Sequence, residues 1–227
     1  MATSFDRTQR IVVLGGGPGG YEAALTGAQL GADVTLIERV GVGGAAVLTD
    51  VVPSKTLIAT ADAATAISDA TDLGVQFFAR GESGRASKPE VAVNLTQVNQ
   101  RLLRLAQDQS DDMREQLEAA GVRIIIGDGR LEGPQRVVVS AGSGSKRKDF
   151  DQCDADTVVV AVGASPRELP TAKPDGERIL TWTQLYSLPD VPEHLVVVGS
   201  GVTGAEFASA YTALGAKVTL VSSRDQV

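Results

Sequence analysis

The chain has 227 residues, enough for one large or two small domains with a sizeable core. Its formal net charge is −7 and it has no long basic stretch, which argues against nucleic acid or an anionic membrane surface as a partner. With Cys153 as its one cysteine and His194 as its one histidine, it can form no intrachain disulfide, and we expect no metal site. The polar start and the short apolar run behind it predict a cytoplasmic protein without membrane insertion.

The predicted elements begin with a β-branched strand at 11–14, a glycine loop, an alanine-rich helix that ends near Gly31, and a second strand at 34–37. Helices are predicted at about 53–70 and 94–120, and a polar, disordered loop at 81–89. Strands are predicted at 122–126, 136–140 and 157–162, with a hairpin turn at 142–145. Cys153 falls in the hairpin and is expected to be a packing residue. His194 precedes the next strand and is expected to lie in a loop.

An internal repeat organises the chain. When residues 11–38 are placed over 195–222, an offset of 184, 13 of the 28 aligned positions are identical. The second copy has the same order of strand, glycine loop, helix ending near Gly215, and strand at 218–221. We therefore predict an α/β fold with two related Rossmann-type dinucleotide-binding units.

The first glycine loop has the pattern G-x-G-x-x-G. Its glycines allow a tight turn, close approach of a pyrophosphate to the backbone, and close packing of helix on strand. The pyrophosphate would meet unpaired amides at the positive end of the helix dipole. Glu38 ends the second strand, where a carboxylate can accept hydrogen bonds from ribose hydroxyls. The predicted contacts here are Gly15, Gly17, Pro18, Gly19, Gly20 and Glu38.

The second loop differs from the first at the end of its second strand, where Ser222, Ser223 and Arg224 replace the acidic residue. A carboxylate there would repel a 2′-phosphate, whereas hydroxyls and an arginine would accept one. This favours NADPH over NADH, with the alternative that Arg224 is a solvated residue and NADH is used. The other predicted contacts of this loop are Gly199, Gly201, Val202, Thr203 and Gly204.

Two such units in one chain resemble the flavoprotein disulfide reductases, the family of dihydrolipoamide dehydrogenase and glutathione reductase. Residues 156–166 are similar to the family's second FAD motif, with Val162 in place of the usual threonine, and residues 127–131 resemble the segment that meets the adenine. The resemblance implies FAD in the first unit and NADPH or NADH in the second. It adds to the predicted FAD contacts Arg39, Gly43, Gly44, Ala45, Lys55, Gly129, Ala161, Val162 and Gly163.

The family's redox disulfide is missing from its usual place. The family pattern is Gly-Gly-Thr-Cys, four residues, then Cys-Ile-Pro-Ser-Lys, and this chain has Ala46 and Val51 at the cysteine positions. Electron transfer to a disulfide substrate needs a thiolate to attack and a second thiol to resolve the product. Dihydrolipoamide and glutathione are therefore excluded as substrates.

Lys55 is kept although the cysteines are not. In the family the matching lysine lies beside flavin N5 and pairs with a glutamate of the second loop's helix, which here is Glu206. The resemblance therefore implies Lys55 and Glu206 as catalytic residues. Two unrelated surface charges are the alternative.

The resemblance implies an FAD-dependent NAD(P)H:quinone oxidoreductase that passes electrons to a quinone or a similar small acceptor. A soluble pyridine-nucleotide transhydrogenase and a non-catalytic flavin-binding module remain as alternatives. We expect an FAD domain at 1–185 and the N-terminal part of an NAD(P) domain at 186–227. We also expect the natural polypeptide to continue into a C-terminal domain, absent here, through which it forms a homodimer.

Overall fold

The computed structural model describes residues 8–78 and 90–223. The loop predicted to be disordered at 81–89 lies outside the described residues, as does Arg224, which is predicted to contact a 2′-phosphate. The chain divides into two compact units, and each is built from two separate stretches of sequence. One unit contains the described residues up to Val51 together with Leu105–Leu169, and the other contains Val52–Arg104 and the residues from Pro170 onward. The expected division at residues 185 and 186 stays a prediction.

The first unit is built on a four-stranded parallel sheet. Its strands are β1 (Arg10–Leu14), β2 (Asp33–Glu38), β3 (Arg123–Ile126) and β7 (Thr157–Val160), arranged in the order β3-β2-β1-β7. Helix α1 (Pro18–Gln29) connects β1 to β2, and the short helix α2 (Gly44–Leu48) follows β2. Parallel pairing of β1 with β2 through a crossover helix is the arrangement that the repeat predicts.

Alternate residues of β1 face two different layers, because side chains along a strand point to opposite faces. Val13 packs with Tyr21 of α1 and with Leu117 of the long helix α4 (Leu95–Ala119). Val12 and Leu14 pack against an antiparallel sheet made of β4 (Asp128–Leu131), β5 (Arg136–Ala141) and β6 (Lys148–Asp154). The parallel sheet is thus covered on both faces, as its continuous apolar strands require.

The second unit contains helix α3 (Val51–Asp69) from Val52 on, the first part of α4, and a 3-10 helix at Trp182–Ser187. It also contains the second copy of the repeat, with β8 (His194–Val198), helix α5 (Val202–Ala213) and β9 (Lys217–Val221). Strands β8 and β9 pair in parallel. The core gathers side chains from all of these helices, including Leu57, Leu102, Tyr186, Phe207 and Tyr211.

The structure confirms the predicted helices and strands, with small corrections. The strand predicted at 157–162 ends at Val160, and Gly163 beyond it has a φ of +66°. His194 is the first residue of β8 and not a loop residue, and its Nε2 atom lies 2.9 Å from Oγ1 of Thr219 on β9. The predicted hairpin is the β5–β6 pair, and Cys153 is buried on β6.

Candidate dinucleotide sites and a charged pair

The first glycine loop leaves the end of β1 and begins α1. The amide of Gly15 donates to the carbonyl of Ile37 at 2.8 Å, and Gly15 has a φ of +94° that favours glycine. A Cβ on Gly15 would overlap the carbonyl of Ala161, and one on Gly20 would overlap the carbonyl of Gly15. These two positions therefore require glycine for reasons of packing.

The other face of this loop is open. A Cβ added to Gly17 or to Gly19 would meet no described atom within 4 Å. Gly17 caps α1 without a side-chain hydrogen bond, and the first turn of the helix has no acidic residue. Pro18 stands at the start of the helix, where its missing amide costs nothing. Open space in front of uncapped amides at a helix N-terminus suits a phosphate group.

Glu38 is held firmly beside this loop. Its side chain is buried, with an exposed fraction of 9%, and Oε2 accepts a 2.6 Å hydrogen bond from the amide of Gly16. Oε1 accepts a 2.8 Å bond from the amide of Val40. A carboxylate has about four acceptor positions, so these two bonds orient Glu38 and leave it able to accept from ribose hydroxyls.

The segment after Glu38 packs directly on the loop. The amide of Gly43 donates to the carbonyl of Gly16 at 2.7 Å, and a Cβ on Gly44 would lie 2.8 Å from the Cα atom of Gly17. Ser110 of α4, which sequence reasoning missed, is buried and donates a 2.6 Å hydrogen bond to the carbonyl of Val42. No motif marks Ser110, because it is one polar residue among many on a long helix.

Other predicted FAD contacts lie around the same loop. Ala161 donates its amide to the carbonyl of Leu14 at 2.8 Å, and Val162 beside it is 68% exposed. Arg39 is largely exposed, and its Nε atom lies 3.9 Å from Oδ1 of Asp128. Ala45 on α2 is exposed.

Gly129 has a packing role of its own. It lies on β4, where a Cβ would come within 2.5 Å of Cδ2 of Leu14 and within 3.2 Å of Cγ2 of Ile37. The sequence pattern suggested only a backbone contact with adenine. A larger residue here would therefore have to displace the side chain of Leu14.

The second glycine loop repeats the geometry of the first. Gly199 has a φ of +116°, its amide donates to the carbonyl of Val221 at 2.9 Å, and a Cβ on Gly204 would overlap the carbonyl of Gly199. Gly201 caps α5 without a side-chain hydrogen bond, and Val202 after it is 76% exposed.

The neighbouring predicted contacts differ in exposure. Thr203, the second residue of α5, is half-buried, and Ser223 beyond β9 is exposed. The hydroxyls of Ser200 and Ser222 lie 2.7 Å apart. The hydroxyl of Ser222, at the end of β9, is therefore already hydrogen-bonded to the glycine loop.

Lys55 on α3 and Glu206 on α5 form an ion pair, with the Nζ atom of the lysine bonded to Oε1 of the glutamate. They are 151 positions apart in the sequence and belong to the same unit. The lysine side chain is 52% exposed and the glutamate side chain 24% exposed, so the pair is open to solvent on one side. The pairing that the family resemblance implied is present.

Ala46 and Val51, which stand where the family has its redox cysteines, come after the first glycine loop in the sequence. Ala46 is half-buried in α2, and Val51, the first residue of α3, is 48% exposed. Cys153 lies on β6 in the antiparallel sheet, where burial raises the pKa of its thiol. A buried neutral thiol fits the packing role predicted for it.

Among residues 8–78 and 90–223, no helix has the length and apolar character needed to cross a membrane. Within the same ranges, the acidic, histidine and cysteine side chains form no cluster of three or more that could hold a metal ion.

Each unit thus presents a glycine loop that starts a helix at the carboxyl end of a parallel strand, and the first loop has a fixed carboxylate beside it. These features define a protein with two dinucleotide-binding folds, and the cradle at Gly17 and Gly19 fits the pyrophosphate of FAD. The family model of the pyridine nucleotide-disulphide oxidoreductases matches residues 9–227. The chain belongs to this family, and membership implies FAD and a pyridine nucleotide as cofactors.

Two curated relatives and one solved structure place the chain within the family. It is 48% identical over 227 residues to an NAD(P)H dehydrogenase (quinone) of Mycobacterium tuberculosis, covering 96% of this chain and 43% of that protein. It is 35% identical to a dihydrolipoyl dehydrogenase of Chlorobaculum parvum, covering 93% of this chain and 42% of the relative. The crystal structure of LpdA from M. tuberculosis superposes with a TM-score of 0.82 at 47% identity, covering 96% of this chain and 46% of LpdA. The chain spans less than half the length of these relatives.

Proposed function

We propose that the protein is an FAD-dependent NAD(P)H:quinone oxidoreductase, which passes hydride equivalents from a nicotinamide nucleotide through FAD to a quinone or a similar small acceptor. The observation that carries this proposal is the segment from Gly43 to Lys55. It keeps its close packing on the first glycine loop, yet Ala46 and Val51 stand where a redox disulfide would be. Because this segment offers no thiol pair to take the electrons, the proposed acceptor is a diffusible molecule that takes them directly.

Each unit provides the residues that bind one of the two cofactors. In the first unit, the amides around Gly17 and Gly19 bind the pyrophosphate, and Glu38 accepts hydrogen bonds from the ribose. In the second unit, the loop from Gly199 to Gly204 binds the nicotinamide nucleotide. FAD, when bound, supplies the ring that accepts hydride from the nicotinamide and releases electrons to the acceptor.

Lys55 and Glu206 provide the electrostatic part of catalysis. The resemblance implies that Lys55 would supply a cation beside the flavin when FAD is bound, and its ion pair with Glu206 would restrict the position of its Nζ atom. A fixed donor costs no reorganisation when the charge appears, which is the usual source of electrostatic rate enhancement.

The named relatives support the acceptor class. The 48% identical protein is called an NAD(P)H dehydrogenase (quinone), whereas the 35% identical protein is called a dihydrolipoyl dehydrogenase. The loss of both cysteine positions favours the first activity over the second. The proposal also includes a cytoplasmic location and a preference for NADPH. It further includes a homodimer that forms through a C-terminal domain.

An anaerobic titration of the intact protein tests the proposal. The protein should purify yellow and release FAD, not FMN, on denaturation. NADPH should remove the visible absorbance of the flavin, and a soluble quinone should restore it, whereas lipoamide should not. Restoration only by a second nicotinamide nucleotide would indicate a transhydrogenase. A flavin that NADPH and NADH both fail to reduce would indicate a structural cofactor.

A long-wavelength charge-transfer band between a thiolate and the flavin should be absent from the reduced protein. The flavoprotein disulfide reductases with a cysteine pair show this band, and here the pair is replaced by Ala46 and Val51. Observation of the band would contradict the alignment of this loop.

A further inference from the structure

The hairpin formed by β5 and β6 contains a β-bulge. The register of the two strands shifts between Val139 and Ser140, since Val139 lies opposite Asp151 and Ser140 lies opposite Asp149. Phe150 is therefore the extra residue on β6. Bulges bend a strand and redirect its side chains, and they are frequent beside functional sites. This bulge lies beside the start of β4, which the family resemblance assigns to the adenine of FAD.

Three contacts join the bulged end of the hairpin to Gly127 and Asp128. The hydroxyl of Ser140 donates to the carbonyl of Asp128 at 3.3 Å, and these two residues are directly opposite each other on β4 and β5. A Cβ on Gly127 would lie 3.1 Å from the carbonyl oxygen of Ser140 and 3.1 Å from Cζ of Phe150. The backbone at residues 127 and 128 therefore packs closely on the hairpin.

Arg147 fixes the direction in which the hydroxyl of Ser140 donates. Ser140 is fully buried, and its Oγ atom accepts a 2.7 Å hydrogen bond from Nε of Arg147. A guanidinium has no acceptor atom, and a hydroxyl has one proton. The bond from Arg147 therefore leaves the proton of Ser140 for the carbonyl of Asp128.

The same backbone is also bonded to the strand end that carries Glu38. The amide of Gly127 donates to the backbone carbonyl of Glu38 at 2.9 Å, and Oδ1 of Asp128 lies 3.9 Å from Nε of Arg39. The side chain of Glu38 is the predicted ribose contact, and the adenine of FAD is attached to that ribose. Residues 127 and 128 are thus held between the predicted ribose contact and the hairpin.

We infer that Ser140 and Arg147 are positioning residues for the adenosine half of FAD, which hold the backbone of residues 127 and 128 in the place where it meets the adenine. The inference rests on the proposed function and adds to it two hairpin residues that the FAD motifs do not contain. Arg147 orients Ser140, and Ser140 holds Asp128. Because both side chains act through this backbone, they affect binding of the adenosine half and not of the flavin half.

Calorimetric titration of the intact apoprotein with FAD, ADP and FMN tests the inference. ADP contains the adenosine and pyrophosphate of FAD, whereas FMN contains the flavin and no adenosine. Ser140→Ala should raise the dissociation constants of FAD and ADP by the same factor, about threefold to tenfold, which corresponds to one hydrogen bond. The dissociation constant of FMN should stay within about twofold of the wild-type value. A general loss of stability would not separate ADP from FMN in this way.

Arg147→Met tests the link between the two side chains. It should weaken binding of FAD and ADP by about twofold or more, and by no more than Ser140→Ala does. In the Ser140→Ala background, the same change should have almost no further effect, because Arg147 acts through the hydroxyl. Arg147 is exposed, so this variant keeps the test available if Ser140→Ala fails to fold. Lys146→Met removes an equal charge from an exposed neighbour and should change none of the three constants.

Two results would overturn the inference. One is a Ser140→Ala variant that binds FAD and ADP like wild type, or that weakens FMN as much as FAD. The other is an additive effect of the two substitutions, which would show that Arg147 does not act through Ser140. Failure of quinone reduction, with the difference between ADP and FMN intact, would instead count against the proposed function alone.

Discussion

The hydroxyl of Ser110 donates a 2.6 Å hydrogen bond to the carbonyl of Val42, and both groups are buried. This bond joins α4 to the segment that follows β2. The same segment bonds to the first glycine loop through the amide of Gly43 and the carbonyl of Gly16. We therefore expect Ser110 to position the first glycine loop through these two hydrogen bonds.

Ser110→Ala should lower the free energy of unfolding by roughly 1–2 kcal/mol, because a buried carbonyl loses its donor. It should also raise the dissociation constant of FAD several-fold, measured by reconstitution of the apoprotein. Ser145→Ala, at an exposed position, is the matched control and should change neither quantity. A loss of stability with unchanged FAD affinity would show that Ser110 does not position the loop.

Glu38→Ala removes the acceptor from two backbone amides and from the proposed ribose contact. We expect FAD retention to weaken by about 1–3 kcal/mol, the cost of leaving such groups unpaired. Fluorescence titration of the apoprotein with FAD measures this change. Glu22→Ala, on the exposed face of α1, is the charge-matched control. Equal FAD affinities for these two variants would remove Glu38 from the site.

Much of this site could be predicted from the sequence, because its main signals are local and repeated. The strand, loop and helix of each copy follow from an apolar run and a glycine pattern that occur twice. Lys55 and Glu206 are 151 positions apart, and only the resemblance to a family joined them before the structure did. From composition and spacing alone, Lys55 and Glu206 would be interpreted as two unrelated surface charges.

Other features could not be predicted, for physical reasons that differ from place to place. Helix α2 has five residues, too few for a periodic pattern, and its Val47 is buried. The hydrogen bond of Ser110 depends on a tertiary contact with a carbonyl, and a carbonyl leaves no trace in the sequence. The side-chain contact between Ser200 and Ser222 depends on the exact approach of the loop to the strand end, which the alignment of the two copies does not describe.

Lys55→Met tests the charged pair, since methionine keeps an unbranched apolar side chain and removes the charge. Because the pair is partly exposed, the loss of stability should be no more than about 1 kcal/mol. Flavin reduction by NADPH should nevertheless slow at least tenfold in stopped-flow measurements, because a positioned donor is lost. Arg136 forms a comparable exposed ion pair, with its Nε atom 2.9 Å from Oδ1 of Asp154. Arg136→Met breaks this pair and should leave the rate of flavin reduction unchanged. Equal rates for the two variants would make Lys55 a surface charge.

Tyr211 makes stability depend on pH in alkaline solution. Burial raises its pKa from 10.0 to about 12, since the ionised phenol is poorly solvated in the core. Below pH 10 the phenol is neutral in the folded and in the unfolded protein, so its ionisation does not lower the free energy of unfolding. Between pH 10 and 12 the unfolded chain ionises first, so stability falls as pH rises, by roughly 2–3 kcal/mol in full.

Tyr211→Phe isolates this effect, because phenylalanine cannot ionise. Chemical denaturation at several pH values should show that wild type loses stability relative to the variant as pH rises from 10 to 12. At pH 8 the two proteins should differ by less than about 1.5 kcal/mol, since the contact of the hydroxyl with the carbonyl of Leu185 is long, at 3.5 Å. A difference that does not change with pH would contradict the predicted shift.

The final prediction concerns the choice between NADPH and NADH. Ser222, Ser223 and Arg224 stand where the first copy has an acidic strand end, and hydroxyls with an arginine tolerate a 2′-phosphate. A well-formed contact between arginine and phosphate contributes roughly 1.5–3 kcal/mol, and each 1.36 kcal/mol is about tenfold in kcat/KM. Solvent screening weakens many contacts between arginine and a ligand, so we expect a preference for NADPH of about tenfold, with NADH still used. Arg224→Ala should lower kcat/KM for NADPH and leave that for NADH nearly unchanged, whereas Arg178→Ala, at an exposed position of the same unit, should affect neither. If Arg224→Ala lowers both values equally, or if the wild type prefers NADH, Arg224 does not bind the 2′-phosphate.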